Sequence, residues 1–142
     1  MKNKEDHIDV IHFTSDAADP LNSSSARGVR FLPLADGNGD SHLRCLHLQR
    51  GAALRAPSIT RAAALLVVHG RINVITQFPF SNIQLHAGMG AIFADNEPYD
   101  LKSDSGAIVF VVEADEIIRY VCGMSTTMHI AGETWLSDSM TA

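Results

Sequence analysis

The sequence predicts an all-β fold, a sandwich or a small barrel, on three observations. Apolar residues fall in short runs of strand length, and clusters of Gly, Asp, Asn, Ser and Pro separate them roughly every 6–12 residues. Only one stretch, late in the chain, carries helical spacing. About eight or nine short strands in succession bury their apolar faces against one another by packing as two sheets or closing into a barrel. No repeat of roughly 20–50 residues, which would signal a solenoid or propeller, is visible.

Residues 1–26 mix charged residues, Asp and Ser around one apolar stretch, Ile8 to Phe13, and run into Asn22-Ser23-Ser24-Ser25. That composition is expected of a flexible N-terminal arm. The barrel is expected over 27–114. Val29 to Leu34 is its first strand, turned by Asp36-Gly37-Asn38-Gly39-Asp40. Leu43 to Leu48 alternates and stops at Gly51, and Ala52 to Ile59 is an extended segment interrupted by Pro57. Ala63 to Val68 and Ile72 to Thr76 flank His69-Gly70-Arg71, the composition of a tight hairpin. Phe78-Pro79-Phe80-Ser81-Asn82 is a loop. Ile83 to Leu85 and Ala91 to Ala94 are strands on either side of Gly88-Met89-Gly90. After the turn Asp95-Asn96-Glu97-Pro98 comes the strand Tyr99 to Lys102, then a turn to Gly106. Ala107 to Glu113, a β-branched and aromatic run, is a buried strand. Residues 115–142 form a C-terminal helix and tail: Ile117, Ile118 and Val121 give Asp115 to Cys122 a helical stripe, Gly123 stops it, and the tail holds Trp135.

A length of 142 residues fits a single domain. Hydrophobic residues are 46% and charged residues 19%, enough for a core that needs no disulfide or metal staple. A net charge of -5 argues against a nucleic-acid surface, which needs a basic stripe to neutralise phosphates. The longest apolar runs, Ala62 to Val68 and Ala107 to Val112, fall far short of the roughly 18 residues that span a bilayer. Met1 to Asp9 is charged and no apolar signal core follows, so a cytoplasmic protein is expected. Cys45 and Cys122 suit that compartment as unpaired thiols. Seven histidines are the one feature that suggests a metal.

The glycine spacing resembles that of the cupins, whose two motifs lie on a conical double-stranded β-helix. In the first frame Gly51 opens and Gly70 closes, which sets Pro57 and Ile59 at the two His positions and Ala63 at the Glu position. The second frame starts at Gly88 and sets Ala94 at the Pro position, Asn96 at the Gly, Tyr99 at the His and Ser103 at the Asn. The resemblance spans about residues 40–114 and implies a single-domain jelly-roll barrel. In cupins the two His, the Glu and the later His hold a divalent metal. Pro57, Ile59 and Ala63 carry no donor atom and a neutral phenol is a poor ligand, so the expectation here is no metal and no cofactor. A slip by one residue cannot rescue the set, because it turns each side chain to the other face of its strand. Nor do the remaining histidines show alternate-residue strand spacing or the i, i+4 spacing of a helical pair.

Strand alternation then nominates a pocket. Pro57 and Ile59 share an inward face, as do Ala63 and Leu65 on the next strand, and Arg55 has the parity to place a guanidinium at the edge. One face of the 43–49 strand carries Leu43, Cys45, His47 and Gln49, polar enough to line a cavity with His47 as general base and Tyr99 as its partner. The same pattern arises if that face meets solvent and Arg44, Leu46 and Leu48 pack inside. Three functions follow from these residues. The first is a metal-free cupin that binds or senses a small, largely apolar organic ligand. The second is a metal-independent isomerase, lyase or cyclase using His47 with Tyr99 or Arg55. The third is a structural dimerisation module with a filled barrel. Cupins commonly dimerise through the outer sheet and exchange N-terminal strands, and a homodimer through Ile8 to Phe13 is expected by that resemblance.

Overall fold

Two long strands carry the architecture, and each stays continuous because a glycine lets it bend. The structure, a computed structural model, describes residues 8–55 and 60–118. Its strands are β1 (Asp19–Pro20), β2 (Ala26–Gly37), β3 (Ser41–Leu54), β4 (Ala62–Gln77), β5 (Phe80–His86), β6 (Gly90–Phe93), β7 (Asp100–Ser103) and β8 (Ala107–Ala114). β3 and β4 are the long ones. Each contains a glycine in the left-handed region, Gly51 at φ 79° and Gly70 at φ 80°, where a side chain would be strained.

Before its glycine each long strand pairs with β8, and after it with β7, all antiparallel. In β3 the register runs from His42↔Glu113 to Leu48↔Ala107, then from Ala52↔Ser103 to Leu54↔Leu101. In β4 it runs from Ala62↔Ala114 to Gly70↔Ala107, then from Asn73↔Lys102 to Ile75↔Asp100. The ladder therefore closes on itself, β3 to β8 to β4 to β7 and back to β3. β2 lies along β3, while β6 and β5 flank the first and second halves of β4. The all-β barrel expected from the strand pattern is what forms.

The hairpin expected at His69-Gly70-Arg71 is not there. β4 runs straight through it, with a register shift between Val67 and His69 and the bend at Gly70. The chain reverses later, at Phe78-Pro79, which joins β4 to β5. The physical reason is a close approach: a Cβ on Gly70 would stand 2.1 Å from the Gly106 carbonyl oxygen. Here glycine serves contact with another strand and a change of partner rather than a turn. β3 likewise continues through Gly51 instead of ending there. Of the expected C-terminal helix, the described residues Asp115 to Ile118 carry no helical assignment, and the remainder, with Trp135, lies outside the described residues.

Alternation puts one face of each strand inside. Leu46, Leu48 and Ala52 of β3 meet Ala63, Leu65 and Val67 of β4, Leu101 of β7, and Ala107, Val109 and Val111 of β8. Burial of each larger side chain contributes about 1.5–3 kcal/mol. The segment expected as a loose arm is seated on the barrel in its later part. Ala18 is buried, Asp19 and Pro20 pair with Phe31 and Arg30, and the Phe13 ring meets Phe110 edge-on at 5.0 Å.

Candidate functional site

The barrel interior is not filled. A cavity of about 390 Å³ opens between the strands, within the range of about 300–1,000 Å³ usual for small-molecule sites. Its deep surface is apolar and comes from four strands: Leu46 (β3), Leu65 (β4), Leu101 (β7) and Val111 (β8). Leu21, Phe31, Leu54 and Tyr99 complete the walls, and Arg44, Arg55, Thr60, Arg61 and Glu113 bring the polar groups.

Most of those polar groups are already engaged. Arg44 Nη1 donates to Glu113 Oε1 at 2.5 Å, and the guanidinium lies 5.3 Å from the centre of the Phe31 ring, a cation–π contact. Arg61 donates through Nη2 to Asp115 Oδ1 at 2.8 Å and through Nη1 to the Asp40 carbonyl. Tyr99 stacks on Phe93 with ring centres 4.2 Å apart and planes 19° from parallel. Burial, and secondly the negative charge of Glu113, push the Tyr99 phenol up to about 12, so it stays a neutral hydrogen-bond donor across the physiological range.

Two groups are not engaged. Thr60 is 9% exposed and its main-chain carbonyl accepts from the Asn96 N–H at 2.8 Å, but its buried hydroxyl oxygen has no hydrogen-bond partner among the described residues. Arg55, fixed through its own N–H to the Ser25 carbonyl at 2.7 Å, makes no side-chain hydrogen bond or ion pair among the described residues.

The structure brings only some of the sequence-nominated residues together. Leu65 and Tyr99 line the cavity and Arg55 sits at its edge. Ala63 is buried in the core beside Leu65 without lining the cavity. Pro57 and Ile59 lie outside the described residues. His47 is on the opposite face of β3. The cavity-facing side of that strand is the one with Arg44 and Leu46, so the expectation that Cys45 and His47 face inward is corrected. Their face is nevertheless sheltered, because the N-terminal segment covers it. His47 is 7% exposed, and its Nε2–H donates to the Phe13 carbonyl at 2.6 Å, with Cys45 Sγ at 3.6 Å. Burial pushes the Cys45 thiol up to about 11, which keeps it protonated. His47 thus ties the N-terminal segment to the sheet and does not reach the cavity.

Arg44, Thr60 and Arg61 were missed in the sequence, although the even-numbered face of β3, Arg44-Leu46-Leu48, gave a signal. An arginine two residues before buried leucines on one face is what the edge of a cavity looks like from sequence.

The described residues at and around the cupin ligand positions do not fit a cupin-type metal. Ala63 offers no donor, Tyr99 holds its proton to about 12, and the Glu113 carboxylate is already bonded to Arg44. Among the described residues no three His, Cys, Asp or Glu side chains converge to hold an ion. His42 bonds Asp36 on the exposed β2–β3 hairpin, and His69 and His86 are exposed.

Comparison with known proteins gives the fold its class. No family model matches the sequence, and no curated protein matches it. Solved structures do. The polyketide cyclase RemF from Streptomyces resistomycificus superposes with a TM-score of 0.67 at 13% identity, covering 86% of this chain and 94% of the other. A cupin-like protein from Thermotoga maritima gives 0.59 at 15% identity over 66% and 75%. An acetylacetone dioxygenase from Acinetobacter johnsonii gives 0.61 at 7% identity over 80% and 78%. The chain is a small β-barrel of the cupin fold. No described helix is long and apolar enough to cross a membrane.

The Tyr99 environment gives a pH signature. Between pH 10 and about 12 the unfolded chain loses the phenolic proton while the folded chain retains it, so stability falls as pH rises through that window. The slope is on the order of 1.4 kcal/mol per pH unit. Urea midpoints measured from pH 9 to 11.5 are expected to fall more steeply for the wild type than for Tyr99→Phe; parallel curves would show that Tyr99 does not titrate late.

Proposed function

We propose that this chain is a metal-independent cupin-fold domain that binds a small, largely apolar organic molecule inside the barrel, in a binding, sensing or accessory role. The observation that carries the reading is the 390 Å³ cavity with four buried aliphatic residues at its base. An apolar guest leaves no polar group of those residues unsatisfied, and its own burial supplies the affinity. The cavity supports this reading over a structural dimerisation module with a filled barrel.

A second reading is favoured by the make-up of the lining. Tyr99 and Glu113 line the same cavity, one a neutral hydrogen-bond donor and the other a carboxylate paired with Arg44. That pair suits proton transfer in an isomerase, lyase or cyclase better than His47, which lies on the outer face. The likeness to a structure described as a polyketide cyclase is compatible with such chemistry and, at 13% identity, adds only the fold.

Amide and methyl NMR titration with 2-naphthalenemethanol tests the binding reading. Shifts are expected at Leu65, Leu101 and Val111, with affinity falling at least about tenfold in Leu54→Trp, where added side-chain volume occupies the cavity. Absence of shifts at these residues at millimolar probe would refute it. Stoichiometric iron, manganese, nickel or zinc retained in the barrel of the purified protein would refute its metal independence.

A further inference from the structure

We infer that the barrel's guest is a hydrophobic monocarboxylic acid, its apolar body against Leu65, Leu101 and Val111 and its carboxylate held by Arg55 and Thr60. The inference rests on the cavity-binding reading above and adds the ligand's charge and its anchor.

The charge balance at the cavity points to an anion. Three arginines line it, and two are already neutralised: Arg44 by Glu113 at 2.5 Å, Arg61 by Asp115 at 2.8 Å. Glu113 is compensated in turn, so it raises little barrier to a second carboxylate nearby. Arg55 remains the uncommitted charge, with no ion pair or side-chain hydrogen bond among the described residues. A cationic guest would find no free carboxylate among the described residues of this lining. A neutral guest would leave the guanidinium to solvent and give it no role in recognition.

Thr60 is the independent observation. Its residue is more than nine-tenths buried, it lines the same cavity, and its hydroxyl has no partner among the described residues. Buried polar groups are hydrogen-bonded with few exceptions, so an orphan hydroxyl on a cavity wall signals a missing acceptor or donor. A carboxylate supplies the acceptor. One of its oxygens suits the hydroxyl and both suit the fork of a guanidinium, a charge-assisted arrangement about twice as strong as a neutral one. The apolar base then limits the acid to one with a hydrophobic body and no second charge, since a second anion placed among Leu65, Leu101 and Val111 would be left without a partner.

The test compares two probes of the same body, 2-naphthoate and 2-naphthalenemethanol, by calorimetry and NMR on the full chain at neutral pH. The wild type is expected to bind the acid at least about tenfold more tightly than the alcohol. In Arg55→Gln that ratio is expected to collapse toward one, mainly through loss of affinity for the acid, while a native amide spectrum and cavity-methyl shifts with the alcohol show that the variant is folded. Arg55→Lys is expected to restore part of the preference, and Thr60→Val to weaken the acid severalfold. Equal affinity for both probes in the wild type, or a preference that survives Arg55→Gln, overturns the inference while leaving cavity binding intact. Failure of both probes to shift cavity residues removes the binding reading itself and the inference with it.

Discussion

Gly70→Ala is expected to cost about 2–5 kcal/mol, the sum of a left-handed backbone conformation and a steric overlap that no side chain can relieve. Gly70 sits at φ 80°, and its Cβ would meet the Gly106 oxygen at 2.1 Å and the Ala107 Cα at 2.8 Å, both main-chain atoms. The contact lies where β4 leaves β8 for β7, so the strain falls on the joint that closes the barrel. For a domain of this size the loss corresponds to a fall in melting temperature on the order of 10 °C. Gly88→Ala is the control. It shares a positive φ of 91° but has nothing within 4 Å of its Cβ, so it carries the conformational cost alone, about 1–2 kcal/mol. Equal losses in the two variants, read by urea or thermal unfolding, would show that the close approach at Gly70 contributes nothing.

Leu65→Ala is expected to lose about 2–5 kcal/mol, whereas Leu66→Ala, one residue on, is expected to lose no more than about 1 kcal/mol. The two leucines lie side by side on β4 and differ in face. Leu65 is 0% exposed, paired with Val111, and forms part of the cavity base; Leu66 is 46% exposed on the outside. Truncation of Leu65 enlarges a cavity that already exists, and the rigid ladders to β6 and β8 on either side prevent collapse around the gap. The same variant bears on binding, because a deeper and wider cavity holds the naphthyl probe less closely. Similar losses at both positions would mean that β4 does not present residue 65 inward.

Much of the fold was legible because strand formation answers to local pattern. Alternation over Leu43 to Leu48, the Gly-rich turn at 36–40, and the β-branched run at 107–113 each appear as β3, the β2–β3 hairpin and β8. Errors cluster where one residue type serves two purposes. His69-Gly70-Arg71 has the composition of a turn, yet Gly70 is there for a close interstrand contact. Gly51 marks a bend in β3 rather than its end.

The site was legible only in part for a related reason. Parity says which residues share a face but not which face is inside. Leu43-Cys45-His47 and Arg44-Leu46-Leu48 are equally regular sets. The polar content of the first suggested a cavity lining, and the structure gives that place to the second. Nothing local to β3 shows that Phe13, from a distant segment, supplies the carbonyl that satisfies His47 and shelters its face. Glu113 and Arg44 are nearly the full barrel apart in sequence and meet only because β3 and β8 pair with His42↔Glu113 in register.

The sequence by itself determined that the chain is an all-β barrel of cupin kind, through strand periodicity and glycine spacing. It also determined that three of the expected metal positions, Pro57, Ile59 and Ala63, carry no donor atom, since donor chemistry is a property of the residue type alone. The tertiary structure decided which face of β3 meets the cavity, which arginines are neutralised, and that the Thr60 hydroxyl and the Arg55 guanidinium have no partner among the described residues. Those are properties of long-range pairing: a side chain's free valence depends on what the closed ladder brings to it, and no stretch of sequence contains both partners.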